Sequence, residues 1–417
     1  MSLNRFQDTQ YVLDEVLIRY INYLNFAKVA NRNFEGDYKN LKYATGQTIN
    51  YRLEERFLGG NGATATAEGL VQVIRPLTIN QQFNSAVEFT GMELTFNRAR
   101  DQPYLDMMLN PRAKRLANKA ELFIANTIQP SIWQFTGTPG QPISFGTIAQ
   151  TNAYMIQLGI PDDGNRYFAI PPLIEATLAT NLSTIFNGTV NRGALMDGFV
   201  GHLASFDFFT TNFLTYQTAG VGASGASPPT GFTGAGTISN GPVSGGNTLQ
   251  ITGVTAAAGT VLFNVGDKLY IDPSAGSFMI NPENYLPIVN QGAQFVVTAQ
   301  VLSLGSGTPV NIPVNPTIVV GGARANISAA IPNGAQVWLA LSHNESLAFH
   351  NQAIVFAAPA IKELKGGVEV ATSYSDLYKL AITYTLGADV RNYEQFERLD
   401  VLGGCSPNPE FGVIVMS

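Results

Sequence analysis

The chain has 417 residues, a formal charge of −6, only 13% charged residues, 41 glycines and one cysteine, Cys405. That length suits two or three domains better than one core. The charge balance gives no global pull towards nucleic acid, so any such contact has to be local. A single cysteine excludes an intrachain disulfide and an all-cysteine metal site. Little charge with much Gly, Ser, Thr and Asn points to β structure, long loops and surface buried against other chains. The first residues, MSLNRFQDTQ, lack a basic-then-apolar leader pattern. The longest apolar run, Ala353–Ile361, is broken by Pro359 and is too short to span a bilayer. A soluble protein made in the cytoplasm is expected.

Residues 9–30 read as an amphipathic helix with Val12, Val16, Ile18, Leu24, Phe26 and Val29 on its apolar side and Thr9 as its cap. It either covers the core or packs as an arm on a neighbouring subunit. Thr48–Phe57 alternates like a strand, and Leu70–Leu77 and Phe83–Phe89 return as strands, Pro76 marking an edge or kink. Between them GGNGATATAEG, with Gly59, Gly60, Gly62 and Gly69, has almost no large side chains. This is a long β-arm with no core of its own, which needs another part of the chain or another subunit to lie on. The alternative is an ordinary hairpin with a mobile tip. GGNG is not a phosphate loop, because no lysine follows and no helix begins there.

Asn110–Gln129 is the central helix, with Asn110 as N-cap, Pro111 at the first helical position and Pro130 as its stop. Leu109, Ala113, Leu116, Ala117, Ala120, Phe123, Ile124, Thr127 and Ile128 fall on one face; Arg112, Lys114, Arg115, Asn118, Lys119 and Asn126 fall on the other. The basic face needs solvent, a carboxylate partner or a polyanion.

A mixed α/β segment follows. It holds a short strand at Ile143–Phe145, a helix over Gln150–Leu158, a turn at Asp162–Asn165, a buried strand at Tyr167–Ile170 and a helix over Leu173–Leu182. The Asp162/Asp163 pair before glycine is turn chemistry rather than an acid–base pair. From Thr218 to about Pro332 the only charged residues are Asp267, Lys268, Asp272, Glu283 and Arg324. Strands over Thr248–Ile251, Val261–Phe263, Lys268–Ile271, Gln294–Val301 and Ile318–Val320 suggest a small all-β sandwich or barrel inserted in the parent fold. Thr218–Gly246 reads as its flexible leading linker. The parent fold resumes with a strand at Gln336–Leu341, a helix over Ser346–Asn351 capped by Ser342–Glu345, and a strand at Ala353–Ala358. After a turn at Lys365–Gly367, Tyr378–Leu386, Phe396–Leu402 and Phe411–Met416 form a C-terminal sheet for the central helix to lie across.

Motifs for chemistry are missing. There is no Gly-x-Ser-x-Gly elbow, no His-Glu-x-x-His, no Walker loop and no calcium loop. His343 and His350 can share a helix face, but a third ligand is not evident beside them. No catalytic, cofactor or metal site is expected.

The order of helical arm, β-arm, long helix, mixed domain, inserted β domain and closing sheet resembles the major capsid proteins of tailed bacteriophages. More narrowly, it is similar to short-tailed phage coat proteins carrying an inserted telokin-like β domain. Ser346–Phe356, SLAFHNQAIVF, and Tyr378–Gly404, ending in RLDVLGG, carry the specific part of the resemblance. The resemblance implies an α+β class and the tailed-phage capsid (Johnson) fold. Residues 1–40 would be an N-terminal helical arm and 41–92 the extended β-arm (E-loop). Residues 93–135 and 366–417 would form the peripheral domain with its spine helix, 136–217 and 337–365 the axial domain, and 218–336 the inserted domain. The implied function is structural: self-assembly into the icosahedral head, a shell of hexamers and pentamers around double-stranded DNA, in the host bacterial cytoplasm, with no enzymatic activity.

Under that resemblance Glu54, Glu55, Arg56, Arg112, Lys114, Arg115 and Lys119 are candidate inter-subunit residues, and Gly59, Gly60, Gly62 and Gly69 a flexible arm tip. The basic face meets either acidic residues of an adjacent arm, such as Glu54 and Glu55, or packaged DNA phosphates, non-specifically and salt-sensitively. Inter-subunit pairing is favoured. No long scaffolding segment precedes the first helix, so a separate scaffolding protein and no maturation cleavage are expected; a portal protein is the further implied partner, and no membrane is involved. A carbohydrate-binding or adhesive β-rich protein is the alternative, with an exposed aromatic groove; a hydrolase with unrecognised carboxylates is a further one.

Overall fold

The computed structural model describes residues 5–32, 48–62, 67–69, 72–90, 105–185, 202–223, 228–242, 244–362 and 368–417. The Arg98–Tyr104 lead-in and the Lys365–Gly367 turn lie outside the described residues. So do residues 1–4 and 33–47 of the arms and part of the arm tip. The chain divides into two compact units. One comprises Met1–Leu53, Ile74–Ala125 and Ile354–Ser406; the other comprises Glu54–Val73, Asn126–Ala353 and Pro407–Ser417.

In the first unit the N-terminal apolar pattern gives two helices, α1 (Arg5–Asn22) and α2 (Phe26–Val29), rather than one. The break falls where Tyr23 and Leu24 donate to Tyr20 and Ile21, bonds of the tighter 3₁₀ kind that end a helix. The central helix, α3, spans Asn110–Ile128. A π turn at Leu105–Leu109 leads into it. Asn110 is therefore its first residue rather than a free cap, and its side chain accepts from the Tyr23 hydroxyl at 3.0 Å. Leu116, Ala117, Ala120 and Ile124 are wholly buried, as their spacing requires.

The sheet of this unit has the order Thr48–Arg52, Ile74–Thr90, Glu394–Pro407, Leu380–Asp389, Glu369–Ser375, with Ile354–Ala357 also pairing Glu394–Pro407. The two expected return strands are one strand of 17 residues, Ile74–Thr90. Its start pairs Thr48–Arg52, and from Ile79 onward it pairs Glu394–Gly404. Pro76 lies in the stretch paired only with Thr48–Arg52, where a missing N–H is tolerated. The helix does lie on this sheet. Phe123 of α3 packs on Phe83 with ring centroids 5.8 Å apart.

In the second unit a seven-stranded sheet runs Phe135–Gly137, Gly412–Met416, His343–His350, Arg166–Ile170, Phe206–Thr210, His202–Leu203, with Tyr216–Gln217 also pairing His343–His350. Three expectations need correction here. His343–His350 is a strand, not a cap and helix. Strands bond it on both sides and Glu345–His350 are all buried, so tertiary pairing overrides local helix preference. Seven residues apart in a strand, His343 and His350 point to opposite faces and share no ligand. Gly412–Met416 does not join Phe396–Leu402. It pairs antiparallel with His343–His350 and parallel with Phe135–Gly137. Its five residues are all buried, the pattern of a central strand. Phe145 ends no strand but opens α4 (Phe145–Gln157), which Ser144 and Thr147 start with a capping box. The next helix, α5, spans Pro172–Ile185.

The barrel of this unit closes through Lys268–Ile271, Gln294–Val297, Val310–Asn315, Thr248–Thr252, Phe232–Asn240 and Gln336–Ala340. Three of these strands fall outside the expected set, Val310–Asn315 among them. Phe232–Asn240 belongs to the barrel, not to a flexible linker, and Gln336–Ala340 closes the barrel before the parent sheet resumes. FTGAGTISN hides its role because it has few large apolar residues. At Gly236 (φ +98°) a Cβ would lie 2.4 Å from the Thr252 carbonyl oxygen, so the close strand crossing needs glycine. Gln294–Val301 breaks after Val297, and Ile318–Val320 forms only an isolated bridge from Val320 to Ile327. Leu249, Ile251, Leu269, Phe295, Ile312, Val337 and Leu339 fill the interior.

Candidate subunit-contact surfaces

The basic residues of α3 divide into internal and external groups. Arg112 is buried. Its guanidinium donates to the Ser85 carbonyl (2.9 Å) and the Glu397 carbonyl (3.1 Å), and lies 3.4 Å from the Glu397 carboxylate. The i/i+4 pattern put Arg112 on the open face; the structure uses it to tie two sheet strands to the helix. Lys119 donates to the Asn84 carbonyl at 3.2 Å. Lys114 is exposed and sits over the Tyr23 ring, 5.6 Å from its centroid. Arg115 is exposed and has no partner among the described residues.

A residue missed by the sequence reading lies two turns beyond Lys114, on the same face of α3. Glu121 is fully buried, and its carboxylate accepts from the backbone N–H of Phe26 (2.8 Å) and Ala27 (3.0 Å) at the start of α2. Burial, opposed by those hydrogen bonds, raises its pKa to about 7. The only sequence signal was a lone acid between apolar neighbours.

The arm root belongs to the second unit. Glu54 is exposed and Glu55 half-buried, and neither carboxylate has an ion-pair partner among the described residues. Arg56 is different: it pairs with Glu410 at 2.7 Å. Beyond it, Glu68 accepts from the N–H groups of Leu58 (2.8 Å) and Gly59 (2.7 Å) and closes the base of the tip. Around Gly59, Gly60, Gly62 and Gly69 a Cβ would meet nothing within 4 Å. Phe57 and Leu58 are about half exposed, at 55% and 51%.

A buried polar cluster ties the barrel to the seven-stranded sheet. Lys268 is unexposed and donates to the Ile132 carbonyl at 2.8 Å and the Gln129 carbonyl at 3.4 Å. Its ammonium lies 3.7 Å from Glu345, whose carboxylate is 3.4 Å from His343 Nε2. His343 Nδ1 donates to the Leu341 carbonyl at 2.6 Å. Beside Lys268, Asp267 accepts from Gly220, Asn264 and Gln217. Alternating apolar neighbours had made Lys268 read as an ordinary strand residue.

The expected turn at Asp162–Asn165 is present, with Asp163 accepting from the Asn165 N–H at 3.1 Å and lying 3.0 Å from His350 Nε2. Among the described residues no three His, Cys, Asp or Glu side chains gather as a metal site. No described helix is long and apolar enough to cross a membrane.

Comparison with known proteins adds the lineage. The chain is similar to a solved structure from Mycobacterium phage Che8, with 11% identity, 94% of this chain and 90% of that chain covered, and a TM-score of 0.46. It is also similar to the capsid of cyanophage P-SCSP1u (11% identity, 90% and 84% covered, TM-score 0.43) and to the capsid of Ralstonia phage GP4 (10% identity, 94% and 87% covered, TM-score 0.41). No curated protein matches the sequence. The family model described as P22 coat protein, gene protein 5, matches residues 1–416. With that match running from the first residue almost to the last, the chain belongs to the P22 coat protein family.

Proposed function

We propose that this major capsid protein of a tailed phage closes its shell, as hexamers and pentamers, through the β-arm and the outer face of α3. The arm carries the argument. An extended segment with exposed Phe57 and Leu58 and an unpacked glycine tip has no core of its own, so a neighbouring copy supplies the surface it lacks. Glu54 and Arg115 are exposed and Glu55 half-buried, all three without ion partners among the described residues. Their pairing across subunits gives a heterologous contact that closes into rings. Lys114 adds charge beside Arg115. Arg112 and Arg56 are already paired within the chain and play no part in this contact.

In this reading the arms, peripheral domain, axial domain and inserted domain follow the boundaries expected above. Two adjustments are supported by the strand pairing: Gln336–Ala340 goes to the inserted barrel and Gly412–Met416 to the axial sheet. A scaffolding protein and a portal complete the assembly in the host bacterial cytoplasm. Packaged double-stranded DNA touches the shell non-specifically, in a salt-sensitive way.

Electron microscopy of the protein co-expressed with its scaffolding partner, backed by light-scattering mass, tests this. Closed shells of megadalton mass are expected. A monomer or trimer under all salt conditions would overturn it. Replacing Lys114 and Arg115 together by Ala is expected to impair shell closure; normal empty shells would remove the pairing and leave DNA as the partner of that face.

A further inference from the structure

Between Thr218 and Pro332 the charged residues are Asp267, Lys268, Asp272, Glu283 and Arg324. Asp267 and Lys268 are buried, and Asp272 caps the short 3₁₀ turn at Pro273. Arg324 reaches out of the barrel to the arm: its guanidinium donates to the Glu54 carbonyl at 2.7 Å. A second reach comes from Tyr285, whose hydroxyl lies 3.1 Å from the Phe57 carbonyl and 3.2 Å from the Ala323 carbonyl. Its single proton serves one of these at a time.

Both groups are held in place by their surroundings. Tyr285 has φ +58°, a left-handed conformation that is costly for a residue with a Cβ. The turn that imposes it is tied by Tyr285 N–H to the Asn281 carbonyl (2.9 Å), by Asn281 N–H to the Leu286 carbonyl (3.0 Å), and by Glu283 N–H to the Asn281 side chain (2.8 Å). The Arg324 loop is tied to the same hairpin. Ile280 N–H donates to the Asn326 carbonyl (3.2 Å) and Ser328 N–H to the Phe278 carbonyl (2.9 Å). A strained residue aimed at another segment, beside a charged donor aimed at the same segment, is a built contact rather than a chance one. Both acceptors are backbone carbonyls, so the contact fixes the path of the arm whatever its side chains.

We infer that the hairpin at Phe278–Leu286 and the loop at Gly321–Ser328 form a seat on the barrel that orders the root of the arm, Glu54–Phe57, in the free subunit. The partner of this surface is the chain's own arm. The barrel thereby sets the direction in which the arm leaves the subunit before any neighbour is met. Its consequence for shell size rests on the capsid reading; the seat itself does not.

Hydrogen exchange on the unassembled subunit tests the seat, with Tyr285→Phe, Arg324→Gln and the double variant. Each lost bond should speed exchange of the amides over residues 55–60 by roughly fivefold. The barrel strand Val310–Asn315 should keep its wild-type rates. Wild-type exchange over 55–60 in the double variant overturns the seat. If Arg324→Gln also loosens Val310–Asn315, Tyr285→Phe alone decides, since it removes only the hydroxyl. Co-expressed with the scaffolding partner, the variants should give shells of mixed size. Absence of shells from the wild type would sink the capsid reading and leave the exchange result standing.

Discussion

The ammonium of Lys268 lies 3.7 Å from the carboxylate of Glu345, and neither side chain meets solvent. Burial works against both charges, lowering the Lys268 pKa. Against the same penalty, Lys268 and His343 hold Glu345 below the usual carboxylate range. Two backbone carbonyls also accept from Lys268. Such a pair adds little net stability over apolar residues of similar size, but removing one partner strands the other. Lys268→Met and Glu345→Leu should each cost about 3–5 kcal/mol in denaturant unfolding. The double variant should cost clearly less than the sum. Additive losses would mean that the two groups act independently.

Arg112 and Arg115 are three residues apart on α3 and should behave in opposite ways. Arg112→Ala leaves the buried Glu397 carboxylate and two carbonyls short of a donor, so it should destabilise the subunit by about 3 kcal/mol. Arg115→Ala removes an exposed group with no partner among the described residues and should change subunit stability by about 0.5 kcal/mol or less. Its effect should show only when subunits associate. Thermal unfolding of the monomer and shell yield, measured on both variants, separate the two roles.

The apolar face of α3 and half of the barrel strands were legible because each follows a local period. The misplaced elements were decided by partners distant in sequence. SLAFH is helix-compatible in isolation, and only bonding on both sides by Arg166–Ile170 and Gly412–Met416 makes it a strand. Arg112 and Lys119 have the helical phase of an open face, yet a long side chain reaches across a helix edge to carbonyls that no period reveals. The seat on the barrel was hidden for a different reason: its acceptors are backbone atoms of the arm, and any sequence there would serve.

Glu121 gives the subunit a pH dependence with a definite sign. Its ordinary value near 4.5 is raised to about 7 in the folded chain, first by burial. Folding therefore favours the protonated form, and the stability difference is fully present below about pH 4.5 and lost as pH rises through 7. A shift of that size corresponds to ~3 kcal/mol. Glu121→Gln keeps an acceptor oxygen for only one of the Phe26 and Ala27 N–H groups, a loss that is the same at every pH, and cannot ionise. The stability gap between this variant and the wild type should therefore widen, in favour of the variant, between pH 5 and pH 8 (roughly the span of the shift). Urea unfolding at a series of pH values measures it. A gap independent of pH would mean that the carboxyl titrates alike in the folded and unfolded chain, and that its two backbone hydrogen bonds fully offset its burial. A gap that grows also predicts where the loosening begins: at the α2 junction that Glu121 holds, with exchange at Phe26 and Ala27 rising before that of Leu116 or Ala120 in the body of α3.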